Sequence, residues 1–179
     1  MMTDYKLIIF DLDGTIVVDR DSAELLTGVR EWFEMHHQRY QIAFATNQGG
    51  VGLRLSMEKE GFGNPAELPT EALIWQRIDQ VQAQLPGAPY RFHVCFAYQN
   101  RRGKWSPTPP DKRDRPEWSP GCRKPAPGML EAAMRAAQVD ARQTLMVGDR
   151  KEDHLAAKAA HCDFQWAWEF FGREKPSQP

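Results

Sequence analysis

The sequence reads Phe10-Asp11-Leu12-Asp13-Gly14-Thr15 where its first apolar run ends, so two carboxylates stand two residues apart. The run before them, 6–10, is short, apolar and partly β-branched, which is typical of a strand buried on both faces. Ligands bind at the carboxyl ends of strands in open α/β sheets, so the two aspartates indicate a site. An Asx-turn at a strand end explains these six residues equally well. Only residues elsewhere in the chain can distinguish a ligand site from a turn.

The length and composition indicate one globular domain. The chain has 179 residues, which suits a single domain over 1–179 with one active site. No apolar run approaches the roughly 20 residues of a membrane helix, and the polar start at 1–4 predicts no signal peptide. Three scattered cysteines, Cys95, Cys122 and Cys162, do not indicate a disulfide framework. We therefore expect a cytoplasmic protein without a membrane partner.

Apolar runs alternate with helical patterns along the chain. Strands are predicted at 6–10, 41–45, 90–97, 144–147 and 162–168. Helices are predicted at 22–39, 70–85, 127–138 and from the polar run 148–153 to 160. This alternation predicts a parallel sheet with right-handed crossovers. The expected fold class is α/β, a Rossmann-like three-layer α/β/α sandwich with a mainly parallel sheet.

The segment 98–120 is the least regular part of the chain. It holds five prolines and two tryptophans, and 99–124 carries eight Lys or Arg against three Asp or Glu. Such long insertions tend to be functional or disordered, and the tryptophans favour an ordered loop that faces the substrate. Arg101 and Arg102 could bind a second phosphate, a base or a single strand. A solvated loop with its tryptophans against the core remains the other interpretation.

Polar residues follow the predicted strands or precede a helix in four places, and the topology brings these places to one sheet edge. The four clusters are Asp11 with Asp13, Thr46 with Asn47, Arg123 with Lys124, and Asp149 with Asp153. Several carboxylates beside a lysine repel one another unless a hard cation such as Mg²⁺ binds between them. Taken singly, these residues could be helix caps or surface charges. Together they predict a phosphate site with Mg²⁺ as its cofactor.

These clusters resemble the four motifs of the haloacid dehalogenase-type phosphatases, in the same order, from Phe10 to about Ala160. The resemblance implies a phosphatase that works through an aspartyl-phosphate, with Asp11 as nucleophile and Asp13 as acid and base. Both residues also match metal-binding positions of that family. Within that family the chain most resembles a subgroup without a separate cap domain, described below, which implies that loops decide access to the site.

The remaining motifs assign further roles by the same resemblance. Thr46 matches the phosphate-binding hydroxyl and Lys124 the charge-neutralising lysine, both counted as catalytic. Asp149 matches a metal ligand, and Asp153 matches the acid that supports the metal or the lysine. For substrate binding we expect Asn47, Arg101, Arg102 and Arg123, of which Arg123, beside the catalytic lysine, is the best candidate.

Thr46-Asn47-Gln48 and the stretch 122–130 resemble the subgroup that acts on histidinol phosphate and heptose bisphosphate, and polynucleotide 3′-phosphatases share the pattern. The sugar-bisphosphate enzymes carry a zinc loop with a Cys-x-His pair and a Cys-x-Cys pair. At those positions this chain has Cys95 with Ala97, and Pro120 with Cys122. Because two of four ligands are missing, we expect no structural zinc, and Cys95 to be a buried strand residue.

The predicted function is therefore Mg²⁺-dependent hydrolysis of a small phosphorylated metabolite, such as a sugar phosphate, a sugar bisphosphate or a compound like histidinol phosphate. A polynucleotide 3′-phosphate is the second candidate substrate, with nucleic acid a less favoured partner because the basic residues are confined to one stretch. A non-catalytic phosphate-binding protein is the third possibility. The pair Asp11 and Asp13 speaks against it, since both carboxylates are intact. The sequence does not indicate an oligomeric state.

Overall fold

A computed structural model describes residues 4–176, so the first three residues of the predicted polar start lie outside it. The strands are β1 (Leu7–Phe10), β2 (Gln41–Asn47), β3 (Arg91–Cys95), β4 (Thr144–Gly148) and β5 (Asp163–Trp166). They form one sheet in the order β3-β2-β1-β4-β5, and every neighbouring pair is parallel. The predicted parallel α/β sheet is confirmed.

Helices cover both faces of the sheet. They are α1 (Val29–His36), α2 (Gly50–Glu60), α3 (Glu71–Gln82), α4 (Gly128–Ala137), α5 (Lys151–Ala159) and α6 (Ala167–Phe170). One apolar cluster joins α1, α2, α3 and α6 to a face that includes Phe10 and Phe44. A second cluster joins α4 and α5 to the opposite face. These are the three layers that the alternating pattern predicts.

Local sequence explains where several helices begin. The hydroxyl of Thr70 accepts a hydrogen bond from the backbone of Leu73 at 3.3 Å and caps α3, where the sequence predicts a helix start. Pro127 directly precedes α4, within one residue of the predicted start. The two helices pack on opposite faces of the sheet.

Three helices differ from the sequence prediction, and one of them, α6, replaces the end of the strand expected at 162–168. The helix expected from 22 begins only at Val29, because 19–28 forms turns and a bridge with the loop after β1. The helix α2 was not predicted, since its glycine-rich start resembles a turn. A Cβ on Gly52 would lie 2.4 Å from the carbonyl oxygen of Phe96, so the glycine lets α2 pack directly against the end of β3.

The loop 98–120 is built from turns and short 3-10 segments. Trp118 is buried and contacts Phe96, and Trp105 is half-buried and pairs with Gln99 in an isolated bridge. The expectation that the tryptophans order this loop agrees with these contacts. Lys112 pairs with Glu71 at the start of α3, which ties the middle of the loop to the body of the fold.

The cysteines are a correction to the sequence analysis. Cys95, at the end of β3, is joined to Cys122 by a disulfide, although three scattered cysteines did not indicate one. Twenty-seven residues separate the two, and only the sheet and the return of the 98–120 loop bring them together. Cys95 is buried, as expected, and Cys162 is free. Within residues 4–176, no helix has the length and apolar character needed to cross a membrane.

Candidate active site

The polar clusters predicted from the sequence meet at the carboxyl edge of the sheet. Asp11 directly follows β1, Thr46 and Asn47 end β2, and Asp149 directly follows β4. Since β1 lies between β2 and β4, these three strand ends are neighbours. The loop that carries Lys124 and the first turn of α5, which carries Asp153, close the site from the side of α4 and α5.

Lys124 is the centre of the hydrogen-bond network at this edge. It is 3% exposed, and its Nζ donates to Asp11 Oδ1 at 2.6 Å, to Asp153 Oδ1 at 2.5 Å and to the carbonyl oxygen of Ala45 at 2.7 Å. Burial alone would lower the pKa of this ammonium, but Asp11 and Asp153 raise it above its ordinary value. Lys124 is therefore a buried cation with all three donors occupied.

Asn47 holds the main chain of this lysine. Its amide nitrogen donates to the Lys124 carbonyl at 2.9 Å, and its amide oxygen accepts from the Lys124 N–H at 3.0 Å. Asn47 was predicted to bind substrate, and the structure gives its amide a second task, which is to fix the backbone from which Lys124 projects. The substrate contact stays a prediction.

Three carboxylates form one group that could hold a metal ion. One ligand oxygen from each of Asp11, Asp149 and Asp153 lies within 4.8 Å of the others. Burial and the two neighbouring carboxylates raise the pKa of Asp11 well above its usual range, although Lys124 opposes the shift. Three carboxylates and one ammonium leave two uncompensated negative charges when all are ionised. A divalent cation would balance that charge.

Asp149 gives the clearest sign that a cation fits. Its Oδ1 is buried and has no hydrogen-bond partner among residues 4–176, and its nearest cation is the Nε of Arg150, 3.9 Å from Oδ2. Burial and Asp153 raise the pKa of Asp149 to about 6. A Cβ on Gly14 would lie 2.3 Å from Asp149 Oδ2, so this glycine leaves room for the carboxylate beside the motif. A bare carboxylate oxygen in such a place suits Mg²⁺.

Asp13 is held apart from this group. Its Oδ1 accepts a hydrogen bond from Arg77 Nη2, and its Oδ2 accepts one from Gln48 Nε2 at 2.8 Å. The same Gln48 nitrogen donates to the hydroxyl of Thr46 at 2.8 Å. The Asp13 carboxylate is therefore outside the group of three candidate ligands within the described chain, and its predicted metal contact stays a prediction.

Sequence reasoning missed Arg77 and gave Gln48 no role. A signal for Arg77 was present, because it occupies the apolar stripe of α3 formed by Ile74, Ile78 and Val81. A charged residue in such a stripe is buried only when it has a partner. No spacing rule identifies that partner as Asp13, which lies 64 residues earlier.

The arginines predicted to bind substrate fall in two different places. Arg123 is half-buried: its guanidinium donates to the Ala97 carbonyl at 3.2 Å and lies 5.9 Å from the Tyr98 ring. Arg101 and Arg102 lie at the exposed tip of the turn closed by Gln99 and Trp105. None of the contacts described for residues 4–176 joins Arg101 or Arg102 to the carboxylate group, so their role stays a prediction.

Known proteins resemble this chain over most of its length. A family model described as HAD-hyrolase-like matches residues 121–166, which contain Lys124, Asp149 and Asp153. The D-glycero-beta-D-manno-heptose-1,7-bisphosphate 7-phosphatase of Photorhabdus laumondii is 31% identical over 160 residues, covering 86% of this chain and 74% of that protein. The enzyme of the same name from Haemophilus ducreyi is 28% identical over 162 residues, covering 87% and 78%.

A solved structure of a heptose bisphosphate phosphatase is also similar to this chain. The crystal structure of D,D-heptose 1.7-bisphosphate phosphatase from B. bronchiseptica, complexed with magnesium and phosphate, superposes with a TM-score of 0.57. It is 27% identical in sequence and the match covers 89% of this chain and 78% of that one. That neighbour holds magnesium and phosphate, the two ligands that the carboxylate group and Lys124 suggest here.

Proposed function

Because this chain belongs to the haloacid dehalogenase-like hydrolases and is a phosphatase, we propose that it removes one phosphate from a small phosphorylated sugar, with a heptose bisphosphate as the first candidate. The observation that carries the chemistry is the buried contact between Lys124 and Asp11 inside the group of three carboxylates. The names of the relatives support the choice of substrate.

In the proposed reaction the Asp11 carboxylate attacks phosphorus. Lys124 engages its Oδ1, and Oδ2 receives no hydrogen bond from the described residues, so Oδ2 is the oxygen available for attack. The bond from phosphorus to the leaving oxygen breaks, and that oxygen takes a proton from Asp13. A water molecule then gives its proton to Asp13 and attacks the aspartyl-phosphate, which releases phosphate and restores Asp11.

Asp11 and Asp149 would hold Mg²⁺, and Asp153, which accepts a hydrogen bond from Lys124, would support them. The bound ion would offset the charge of the phosphoryl oxygens and of the carboxylate that attacks them. The Thr46 hydroxyl, which Gln48 already contacts, would donate to a phosphoryl oxygen. Arg123 is the candidate for a second phosphate or a sugar hydroxyl, because its guanidinium is half-buried beside the loop that holds Lys124.

Two further expectations from the sequence belong to this proposal. The first is that the protein has no structural zinc; the two cysteines at the zinc-loop positions, Cys95 and Cys122, are joined to each other. A cytoplasmic location remains the other, although disulfides are rare in that compartment, so the bond counts against it.

The proposal is tested by assaying the purified protein with Mg²⁺ on several phosphomonoesters. The panel contains p-nitrophenyl phosphate, a heptose bisphosphate, histidinol phosphate, nucleotides and a 3′-phosphorylated oligonucleotide. We expect kcat/KM to be highest on the heptose bisphosphate, by about tenfold or more over the next substrate, a margin that corresponds to about 1.4 kcal/mol in the transition state. A higher value on the oligonucleotide would make the chain a polynucleotide 3′-phosphatase instead.

The variant Asp11→Asn tests the mechanism separately. It removes the nucleophile, so turnover of every substrate should fall to background, whereas Asp140→Asn, at an exposed aspartate outside the site, should keep full turnover. Unchanged turnover in Asp11→Asn would exclude the aspartyl-phosphate route.

A further inference from the structure

The guanidinium of Arg77 occupies a place where a charge is costly. Arg77 lies on the buried face of α3 between Ile74 and Ile78, and it is 9% exposed. Its Nη1 is buried and has no partner among residues 4–176. Desolvation opposes the burial of a cation, and an unpaired donor adds to that cost, so the other contacts of Arg77 have to supply the stabilising free energy.

Those other contacts all go to the segment that follows β1. The Nη2 of Arg77 donates to Asp13 Oδ1 and to the carbonyl oxygen of Asp19 at 2.6 Å, and Nε donates to the carbonyl oxygen of Ser22 at 2.7 Å. Two of the three acceptors are backbone carbonyls, and the third is the side chain to which the acid and base role is assigned. Arg77 thereby links α3 to the acid-base carboxylate.

Gln48 holds the same carboxylate from the carboxyl end of the neighbouring strand, β2. Its Nε2 contacts Asp13 Oδ2 and the Thr46 hydroxyl, each at 2.8 Å, and the side chain is 6% exposed. With one oxygen on Arg77 and the other on Gln48, the plane of the Asp13 carboxylate is set by two buried partners. The orientation of Asp13 relative to Thr46 therefore depends on both.

We propose that Arg77 is a positioning residue for the phosphatase reaction: with Gln48, it holds the Asp13 carboxylate toward the oxygen that leaves phosphorus. This inference rests on the acid and base role proposed for Asp13. The fork of an arginine suits the task, because Nη2 and Nε reach separate acceptors from one rigid plane, which a lysine ammonium cannot reproduce.

A purely structural arginine exists on α2 for comparison. Arg54 donates through Nη1 to the carbonyl oxygens of Pro65 and Leu68, at 2.9 Å each, and pairs with Glu58. It fastens a loop to a helix, as Arg77 does, but none of its contacts within residues 4–176 involves the active site. Arg54→Met is therefore the matched control for Arg77→Met.

The test compares kcat/KM on two kinds of substrate. An alkyl phosphate, such as the best sugar phosphate of the panel, needs a proton on its leaving oxygen, whereas p-nitrophenolate leaves without one. We expect Arg77→Met to lower kcat/KM on the sugar phosphate by about 100-fold and on p-nitrophenyl phosphate by less than about tenfold. Arg54→Met should change both by less than about threefold. Arg77→Lys should fall between Arg77→Met and the wild type.

A double-mutant cycle completes the test. If Arg77 acts through Asp13, Asp13→Asn combined with Arg77→Met should be no slower than Asp13→Asn alone, within about threefold. Equal losses on both substrates in Arg77→Met, or additive losses in the cycle, would show that Arg77 only stabilises the fold. Circular dichroism and Tm establish that each variant is folded. If Arg77→Met does not fold, the same comparison of the two substrates is made with Arg77→Lys.

The outcome for Asp13→Asn separates the two proposals. A selective loss on the sugar phosphate in Asp13→Asn, with an unselective loss in Arg77→Met, overturns the role of Arg77 alone. An unselective effect in Asp13→Asn overturns the acid role of Asp13 and the positioning role of Arg77 with it.

Discussion

At the scale of single residues, the site depends on how burial and charge act on one another. Lys124 keeps its charge in a buried place because Asp11 and Asp153 both contact its ammonium. The Oδ1 of Asp149 has no hydrogen-bond partner among residues 4–176, and burial with Asp153 raises the pKa of this carboxyl to about 6. Asp11 and Asp153 therefore bind the lysine, whereas Asp149 offers an oxygen to a cation.

His93 allows a prediction on pH and stability. Burial, with Arg91 and Arg135 nearby, lowers the pKa of this β3 histidine to about 4 from its ordinary value of 6.5. Between those values the unfolded chain binds a proton that the folded chain does not, so acid destabilises the fold in this window. From pH 7 to pH 5 the wild type should lose about 1–2 kcal/mol more free energy of unfolding than His93→Leu, measured by urea denaturation.

The direction of the pKa shift of His93 determines the direction in which stability changes with pH. The folded pKa lies below the unfolded one, so the contribution of neutral His93 is present above pH 6.5 and is lost as the pH falls toward 4. An equal loss in His93→Leu and wild type between pH 7 and pH 5 would contradict the buried neutral histidine.

At the scale of elements, the strands and most helices follow from local pattern. The start of α3 at its Thr70 cap and the apolar run of β4 were both predicted within one residue. The helix α2 was not, because Gly50 and Gly52 have low helix propensity and only contact with the end of β3 explains them. Local rules fail here where tertiary contact requires a small residue.

The disulfide gives a prediction at this scale. It ties the end of β3 to the turn two residues before Lys124, and it closes a loop of 27 residues. Reduction should lower the free energy of unfolding by about 2–4 kcal/mol, because the cross-link restricts the unfolded chain. Urea denaturation with and without dithiothreitol measures the effect.

Variants at the cysteines provide the control. Cys162→Ser, which replaces the free cysteine, should respond to dithiothreitol as the wild type does. The variant with both Cys95→Ala and Cys122→Ala should not respond. A response of equal size in that double variant would show that the bond is not the cause.

At the scale of the whole molecule, the parallel sheet brings charges of one sign to one edge. The strand order β3-β2-β1-β4-β5 makes the carboxyl ends of β2, β1 and β4 neighbours, and three buried carboxylates meet there. Their mutual repulsion opposes folding unless a cation or a proton neutralises them. Metal binding and the stability of the whole fold are therefore coupled.

This coupling predicts that Mg²⁺ stabilises the protein. At a Mg²⁺ concentration 100 times its Kd, one site adds about 2.7 kcal/mol, which raises Tm by roughly 5–10 °C for a chain of this size. Asp149→Asn should remove most of the shift, whereas Asp140→Asn, at an exposed aspartate, should keep it. Thermal unfolding with Mg²⁺ or with a chelator measures both, and a full shift in Asp149→Asn would place the ion elsewhere.

The sequence by itself determined the alternation of strands and helices, the parallel sheet and the order of the motifs from Asp11 to Asp153, because these depend on local periodicity and on residue spacing. Only the tertiary structure decided that Arg77 and Gln48 hold Asp13, that Asn47 holds the backbone of Lys124, and that Cys95 meets Cys122. Each of those pairs is separated by at least 27 residues along the chain. No local pattern specifies which distant side chains the packing of helices on a sheet brings into contact.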